Sequence, residues 1–420
     1  MRVSHFNTYL VGGAAIAAQR LHDSLTNRGV ESKFFSLAGD TPNNSYISID
    51  QMEYQSITKR MYRYARKLCY LLRIHYHTHG RPEGYEQFSY ASLCWKTRLA
   101  MFDKNPDLIH LHWIADFIDY PSFFSSIPDS VPIIWTLHDM NPFTGGCHYS
   151  WECEGYKSQC RHCPQLKKSS HYDLSTKNFF LKKKSLRGKN LHIVADSHWL
   201  EREARSSAIF SNVKSFQTIH YGLDIQSFLP KDKESCRRVL GLPPDSFVIS
   251  FGADHVGNKR KGMRELVGAL SSIGANEKLA LLVFGRSLPQ IGPMDFPSIH
   301  FGFLHSPTLL SAIYSASDMF VIPSLQEAFG QTALESLACG TPVVGFRTGG
   351  IPDMVIHGKT GLLAQPNDIK ELALQIKWLM DHPEEKKQMG VNGRLSVEQM
   401  FTADMQADKY LSLYDKLLNR

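Results

Sequence analysis

Two carboxylates frame the stretch with the most chemistry in it: Glu327 and Glu335, in E-A-F-G-Q-T-A-L-E, fall about two helical turns apart. Between them runs Ala328-Phe329-Gly330-Gln331. Gly330 has no Cβ, so a ligand can approach the backbone closely there. Backbone N–H groups from Phe329 to Thr332, at the start of a helix, would form a nest for phosphate or sugar hydroxyls. A carboxylate at each end of that nest suits a ligand carrying hydroxyls at both ends, such as a nucleotide sugar. Taken alone, the same spacing also fits a helix-start acid and a solvated helix charge.

A second cluster is cationic. Lys259, Arg260 and Lys261 precede Gly262 and a helix. Lysine gives a point charge and arginine a bidentate fork, and both suit phosphate oxygens. Gly12 and Gly13, where a first strand gives way to a helix, make a weaker phosphate-binding signal. His138 ends the strand-like run 131–137, and carboxyl ends of parallel strands are where open α/β sheets bind ligands. His110 and His112 alternate onto one face of the preceding strand, as core or as support.

A third cluster is sulfur-rich. Cys147, Cys153, Cys160 and Cys163 lie close together, the last pair as C-x2-C. That spacing permits tetrahedral thiolate coordination of zinc, with His148 and His162 as alternative ligands. Two disulfides or free thiols are the competing readings, and a reducing compartment disfavours the disulfides. Four thiolates would leave no open position, so such a zinc would be structural, and no catalytic cofactor is expected.

The elements that must position these residues repeat a strand–turn–helix theme. Arg2–Phe6, Lys33–Leu37, Asp107–Trp113, Val131–Leu137, Leu191–Asp196 and Val213–His220 read as strands of one sheet. Phe247–Gly252, Leu279–Gly285, Ser298–Gly302, Asp318–Ser324 and Pro342–Phe346 read as strands of a second. Helical spacing of Ala15, Ala18, Leu21 and Leu25 and the cap at Gly29 complete the first unit's opening. The expected fold is α/β, with two doubly wound Rossmann-like domains facing across a cleft. From Ser56 to Arg81 the chain is basic and aromatic, which fits a cationic amphipathic face for anionic lipid or a solvated helix packed on its own domain. The helix over 179–187, with Lys182-Lys183-Lys184, reads as having a solvated basic face.

Composition sets the outer limits. The 420 residues are enough for two domains, with 43% hydrophobic and 21% charged residues. A net charge of +7 suits anionic nucleotides or an anionic membrane and does not call for nucleic acid. No run of about eighteen apolar residues reads as a membrane span, and the N-terminus lacks a signal-peptide core. A cytoplasmic protein is expected.

From Ser324 to Val355 the run SLQEAFGQTALESLACGTPVVGFRTGGIPDMV resembles the donor-site signature of family 4 of the retaining, GT-B-fold glycosyltransferases. The insert that follows W-T-L-H-D resembles a cysteine-rich subgroup that includes colanic-acid and exopolysaccharide enzymes. The resemblance implies that Glu327 and His138 face the transferred sugar, that Glu335 holds the nucleotide ribose, and that Lys261 holds the diphosphate. Ala253 stands where the family has an arginine, and Arg260 is the expected substitute. Gly12 and Gly13 fall where the family's glycine-rich loop lies, and Phe301 where the base meets backbone. Ala328, Phe329, Gly330 and Gln331 complete the expected donor site. The implied domains are 1–224 with the cysteine-rich insert 144–166 on the acceptor side, 225–402 for the nucleotide sugar, and a helix 403–420 packing back on the first domain. The implied activity is transfer of a sugar from a nucleotide diphosphate to a saccharide or lipid-linked acceptor, with peripheral contact at the inner membrane face.

Overall fold

A computed structural model describes residues 1–49, 57–243, 245–274, 278–287 and 296–419; within the helix 57–78 the side chains at 57–60, 62, 63 and 67 are excepted. Ser56 and the side chains of Lys59, Arg60, Arg63 and Lys67 therefore lie outside the described residues. The chain divides into two compact units: Met1–Ile219 with Ala407–Arg420, and His220–Gln406.

The first unit is a seven-stranded sheet. In chain order its strands are β1 (Arg2–Tyr9), β2 (Glu31–Ala38), β3 (Tyr46–Ser48), β4 (Leu108–Leu111), β5 (Ile133–Leu137), β6 (Leu191–Ala195) and β7 (Ser215–Thr218). The spatial order is β3-β2-β1-β4-β5-β6-β7, and every pairing is parallel. Apolar runs such as Ile133–Leu137 are buried along their whole length because helices cover both faces of a parallel sheet. The order reverses between β1 and β4, so the carboxyl ends of those strands diverge and leave a crevice. The last helix, Ala403–Leu417, supplies Ala407, Tyr410, Leu413 and Tyr414 to the core formed by Val3, Leu21, Leu25, Leu108, Ile134 and Val194.

The second unit carries β8 (Phe247–His255), β9 (Leu279–Arg286), β10 (Ser298–His300), β11 (Met319–Ile322), β12 (Val343–Phe346) and β13 (Gly361–Ala364). Their order is β10-β9-β8-β11-β12-β13, again parallel throughout. Its switch point lies between β8 and β11. The cationic run follows β8 and the Glu327 loop follows β11, so topology alone brings the two motifs to one end of the sheet.

One expectation is overturned in the first unit. The helix observed over Leu174–Leu186 does not present all three lysines to solvent: Lys182 is buried. Its ammonium donates to the carbonyls of Asn141 (2.5 Å) and Thr144 (3.2 Å). The loop after β5 turns these carbonyls inward, and a lone cation satisfies them. Burial pushes Lys182 down to about 8.

Candidate functional site

In the second unit the chain leaves β11 through Pro323 and re-enters a helix at Gln331, and the turn between them carries Glu327. Gly330 caps that helix with φ 106°, a left-handed conformation that a side chain would strain. Two other glycines let segments touch. A Cβ on Gly262 would sit 1.8 Å from the Pro323 carbonyl, and one on Gly349 would sit 1.8 Å from the Glu327 carbonyl. Glycine at these positions is what allows the cationic turn Lys259–Lys261 and the loop after β12 to close on Glu327.

The Glu327 carboxylate is buried, and three donors converge on one of its oxygens. Its Oε2 accepts from Lys261 Nζ at 2.5 Å, from Ser324 Oγ at 3.2 Å and from Arg260 Nη1 at 3.3 Å. Burial pushes the carboxyl up, but the Lys261 and Arg260 charges outweigh it and hold Glu327 below the usual carboxylate range. Arg260, expected at a diphosphate, is turned inward and also donates to the Gln326 carbonyl at 2.7 Å. Lys261 keeps 23% of its side chain exposed, so its ammonium is paired and still reachable. Lys259 points outward. Ser324 is a partner that motif reading did not single out.

Glu335 lies on the same helix, buried, and accepts from Tyr314 Oη at 3.1 Å. It is not a solvated helix charge. Ala328 and Phe329 are buried within the loop, and Gln331 is half-buried at the helix start. Phe301 follows β10 and donates its N–H to the Val283 carbonyl of β9, while Gly302 accepts from Gly285.

In the first unit Gly12 (φ 94°) precedes the helix Gly13–Asn27 at the end of β1. His138 sits just past β5, half-buried, with Nε2 at 3.2 Å from His112 Nδ1. His112 Nε2 lies 3.0 Å from His5 Nδ1. His110 is held by Tyr414 Oη (2.6 Å) and Thr136 Oγ1 (2.7 Å). Of the two readings for His110 and His112, both are core, and His112 also supports His138. His5 was missed; it lies in β1 beside β4, and only its pairing opposite His110 reveals it. Burial pushes His138 down to about 4, against a weaker upward pull from Asp139, so the ring is neutral near pH 7.

The four cysteines line one small cavity of about 20 Å³ with Phe88, Gly145 and Tyr156. Burial raises Cys147 to about 11 and Cys163 to about 12 and pushes Cys160 up as well. His148 is not a partner of this cavity. Its Nδ1 is bonded to Asp139 Oδ2 at 2.7 Å and its Nε2 to Ser89 Oγ at 2.9 Å, so both ring nitrogens are committed. Trp113 Nε1 donates to the same Asp139 oxygen. His162 is exposed in a left-handed turn.

With this geometry in place, comparison with known proteins adds the lineage. Residues 233–396 match the family described as Glycosyl transferases group 1. A D-inositol 3-phosphate glycosyltransferase of Catenulispora acidiphila is 33% identical over 42% of this chain and 44% of its own length. An N-acetyl-alpha-D-glucosaminyl L-malate synthase of Bacillus anthracis is 27% identical over 54% of this chain and 60% of its own. The chain thus spans about half the length of the curated relatives it matches. Sucrose-phosphate synthase from Thermosynechococcus elongatus has the same fold at TM-score 0.68, with 20% identity over 100% of this chain and 99% of that one. Anabaena HepE, solved in complex with UDP and glucose, follows at TM-score 0.60 and 15% identity over 99% of this chain and 100% of its own. Residues 233–396, which include the switch point that carries both charged motifs, thus resemble the group 1 glycosyl transferases, and the chain as a whole has the two-sheet GT-B fold.

Proposed function

We propose that the protein is a retaining glycosyltransferase that moves a sugar from a nucleotide diphosphate sugar to a hydroxyl acceptor. The observation that carries this reading is the buried Glu327–Lys261–Arg260 cluster at the switch point of the second sheet. Lys261 would offset the charge that develops on the leaving diphosphate. Glu327, kept ionised by its two cations, would face the reacting sugar, where positive charge grows. Glu335 and the helix start at Gly330 would hold the ribose and phosphate oxygens. His138 would present a neutral imidazole from its own unit.

The acceptor in this reading is a saccharide or lipid-linked saccharide of polysaccharide biosynthesis, met at the cytoplasmic membrane face. Support comes from the helix Ile57–Thr78, on which Met61, Tyr64, Leu68, Leu71, Leu72 and Tyr76 are all at least half exposed. These positions recur at helical spacing and form one apolar stripe, and the sequence sets Arg60 and Lys67 beside it. Vesicle sedimentation decides this part: attachment should need anionic lipid and weaken with salt. Equal partition onto neutral vesicles overturns it.

The four cysteines are proposed to hold one structural zinc, with Cys147, Cys153, Cys160 and Cys163 as thiolate ligands.

The reaction is tested by incubating the chain with UDP-, GDP-, ADP- and dTDP-sugars. The acceptor arms are lipid-linked saccharide, inositol 3-phosphate and malate, the last two taken from the named relatives. Free nucleotide with a glycosylated product is the expected result. An isomerised sugar without transfer overturns it.

A further inference from the structure

Two cysteines outside the quartet lie on the two segments that meet where the exposed helix rests on the first unit. Cys69 is exposed near the middle of the helix Ile57–Thr78, and Cys94 is half-buried in the segment that lines the helix's inner side. Three contacts fix this apposition. Arg73 Nη1 donates to the Ser92 carbonyl at 2.7 Å, and its guanidinium lies 4.5 Å from the centre of the Tyr90 ring. Arg66 lies 4.7 Å from the centre of the Trp95 ring, against which Tyr70 also packs edge-on. These residues flank both thiols in sequence, so the contacts set the two cysteine-bearing segments against each other.

We propose that Cys69 and Cys94 are a redox-active pair that closes to a disulfide and pins this helix to the first unit. The proposal does not rest on the transferase reading. Exposure makes Cys69 the attacking group, because an accessible thiolate is the nucleophile in exchange. The oxidant is a small-molecule disulfide. The Cys69 thiolate attacks one of its sulfurs, the S–S bond breaks, and one small thiolate leaves. The Cys94 thiolate then attacks the Cys69 sulfur and expels the second. One protein S–S bond has formed and one small-molecule S–S bond has been reduced. The two cysteine protons end on the two released thiols.

The guanidinium of Arg73 supports the second step. It is a charged neighbour of Cys94 that favours the thiolate, acting against the burial that dominates there and raises the thiol.

The full chain is incubated with oxidised glutathione across a series of glutathione ratios, blocked with an alkylating reagent, and mapped by peptide mass. The expected result is a peptide joining Cys69 to Cys94, two hydrogens lighter than the reduced pair, formed before any link within the cysteine quartet. Cys69→Ser and Cys94→Ser should each abolish it and leave a glutathione adduct on the remaining partner. In the parent chain, oxidation should slow tryptic cleavage within 57–78 by about tenfold or more, since the bond restricts opening of that segment. A stable glutathione adduct on Cys69 with no cross-link overturns the proposal. So does a cross-link that appears in the quartet alone, or cleavage within the helix that is unchanged in cross-linked protein.

Discussion

The two units differ in the polar groups they cluster. The first unit buries a set of histidines and keeps them neutral: His5, His22, His110, His112 and His138 all have their protonation disfavoured by burial, and neighbouring histidines add to this at His5, His110 and His112. The second unit buries charge and pairs it: Glu327 with Lys261 and Arg260, and Asp318 with Lys233, Arg237 and Lys386. A neutral hydrogen-bonded chain avoids the cost of desolvating an ion and can pass polarity without net charge. A buried ion pair bears that cost and keeps a full charge in place, which is what a leaving diphosphate requires. The difference suits a first unit that positions a neutral ring and a second that handles an anion.

Zinc is the largest test of this contrast, because metal-bound thiolates would add a cluster of buried charge to the unit of neutral histidines. Protein purified without chelator should carry one zinc per chain. Removing it, or replacing Cys160 and Cys163 with Ser, should cost folding on the order of 10 kcal/mol rather than turnover. Elemental analysis settles the point. Well under one equivalent of metal, with all four thiols titrating free, would leave no charged sulfur cluster beside the neutral histidines.

Acid should separate the units next. The buried histidines have folded pKa values below the ordinary 6.5, so the unfolded chain binds their protons first as pH falls. Their stabilising effect is complete above about pH 6.5 and is lost as pH drops toward about 4, the value reached by His22 and His138. One pH unit below 6.5, each histidine kept neutral costs about 1.4 kcal/mol, and several together approach the stability of a domain. Glu327 and Asp318 are held below the ordinary carboxylate range, so their contribution is present above about pH 4.5 and fades only below it. Hydrogen exchange read peptide by peptide should show the first unit losing protection at a higher pH. Loss of both units together, below pH 4.5, would erase the distinction.

How much of this was legible beforehand follows from range. The strand Asp107–Trp113 and the shared face of His110 and His112 are local and were readable. The partner of His110 is Tyr414, 304 positions away, and no local pattern points to it. Lys182 misled for the same reason: a three-lysine run reads as solvent-facing until a distant loop turns its carbonyls onto one of them. The Glu327 motif was legible in its residues but not in its pairing. Gly262 packing on Pro323 is what turns Arg260 inward, and that is a tertiary contact.

The pairing itself can be broken. Glu327→Gln keeps the shape and removes the charge, leaving the buried Arg260 and the partly exposed Lys261 uncompensated. It should cost the second unit about 3–5 kcal/mol and abolish most turnover. Adding Lys261→Met should restore part of the stability and none of the turnover. If the single variant is as stable and active as the parent, the cluster is neither structural nor catalytic.

The smallest expected effect lies at Glu335, and it separates binding from chemistry within the second unit. This carboxylate is buried beside Tyr314, from whose hydroxyl it accepts a hydrogen bond. In the proposed reading it accepts hydrogen bonds from a ribose, each worth about 1.5–3 kcal/mol as a charge-assisted bond. Glu335→Gln keeps an acceptor and the fold of the helix, so Glu335→Ala and Glu335→Gln should differ. The alanine variant should bind nucleotide sugar at least about tenfold more weakly, the loss that 1.4 kcal/mol produces, with turnover at saturation nearly unchanged. The glutamine variant should fall between it and the parent. Tyr314→Phe removes only the neighbour's hydroxyl, so it should shift stability more than nucleotide affinity. Titration calorimetry with the nucleotide alone reads the difference. If Glu335→Ala leaves nucleotide affinity intact while Tyr314→Phe and Glu335→Ala destabilise equally, Glu335 is a packing residue and the ribose is held elsewhere.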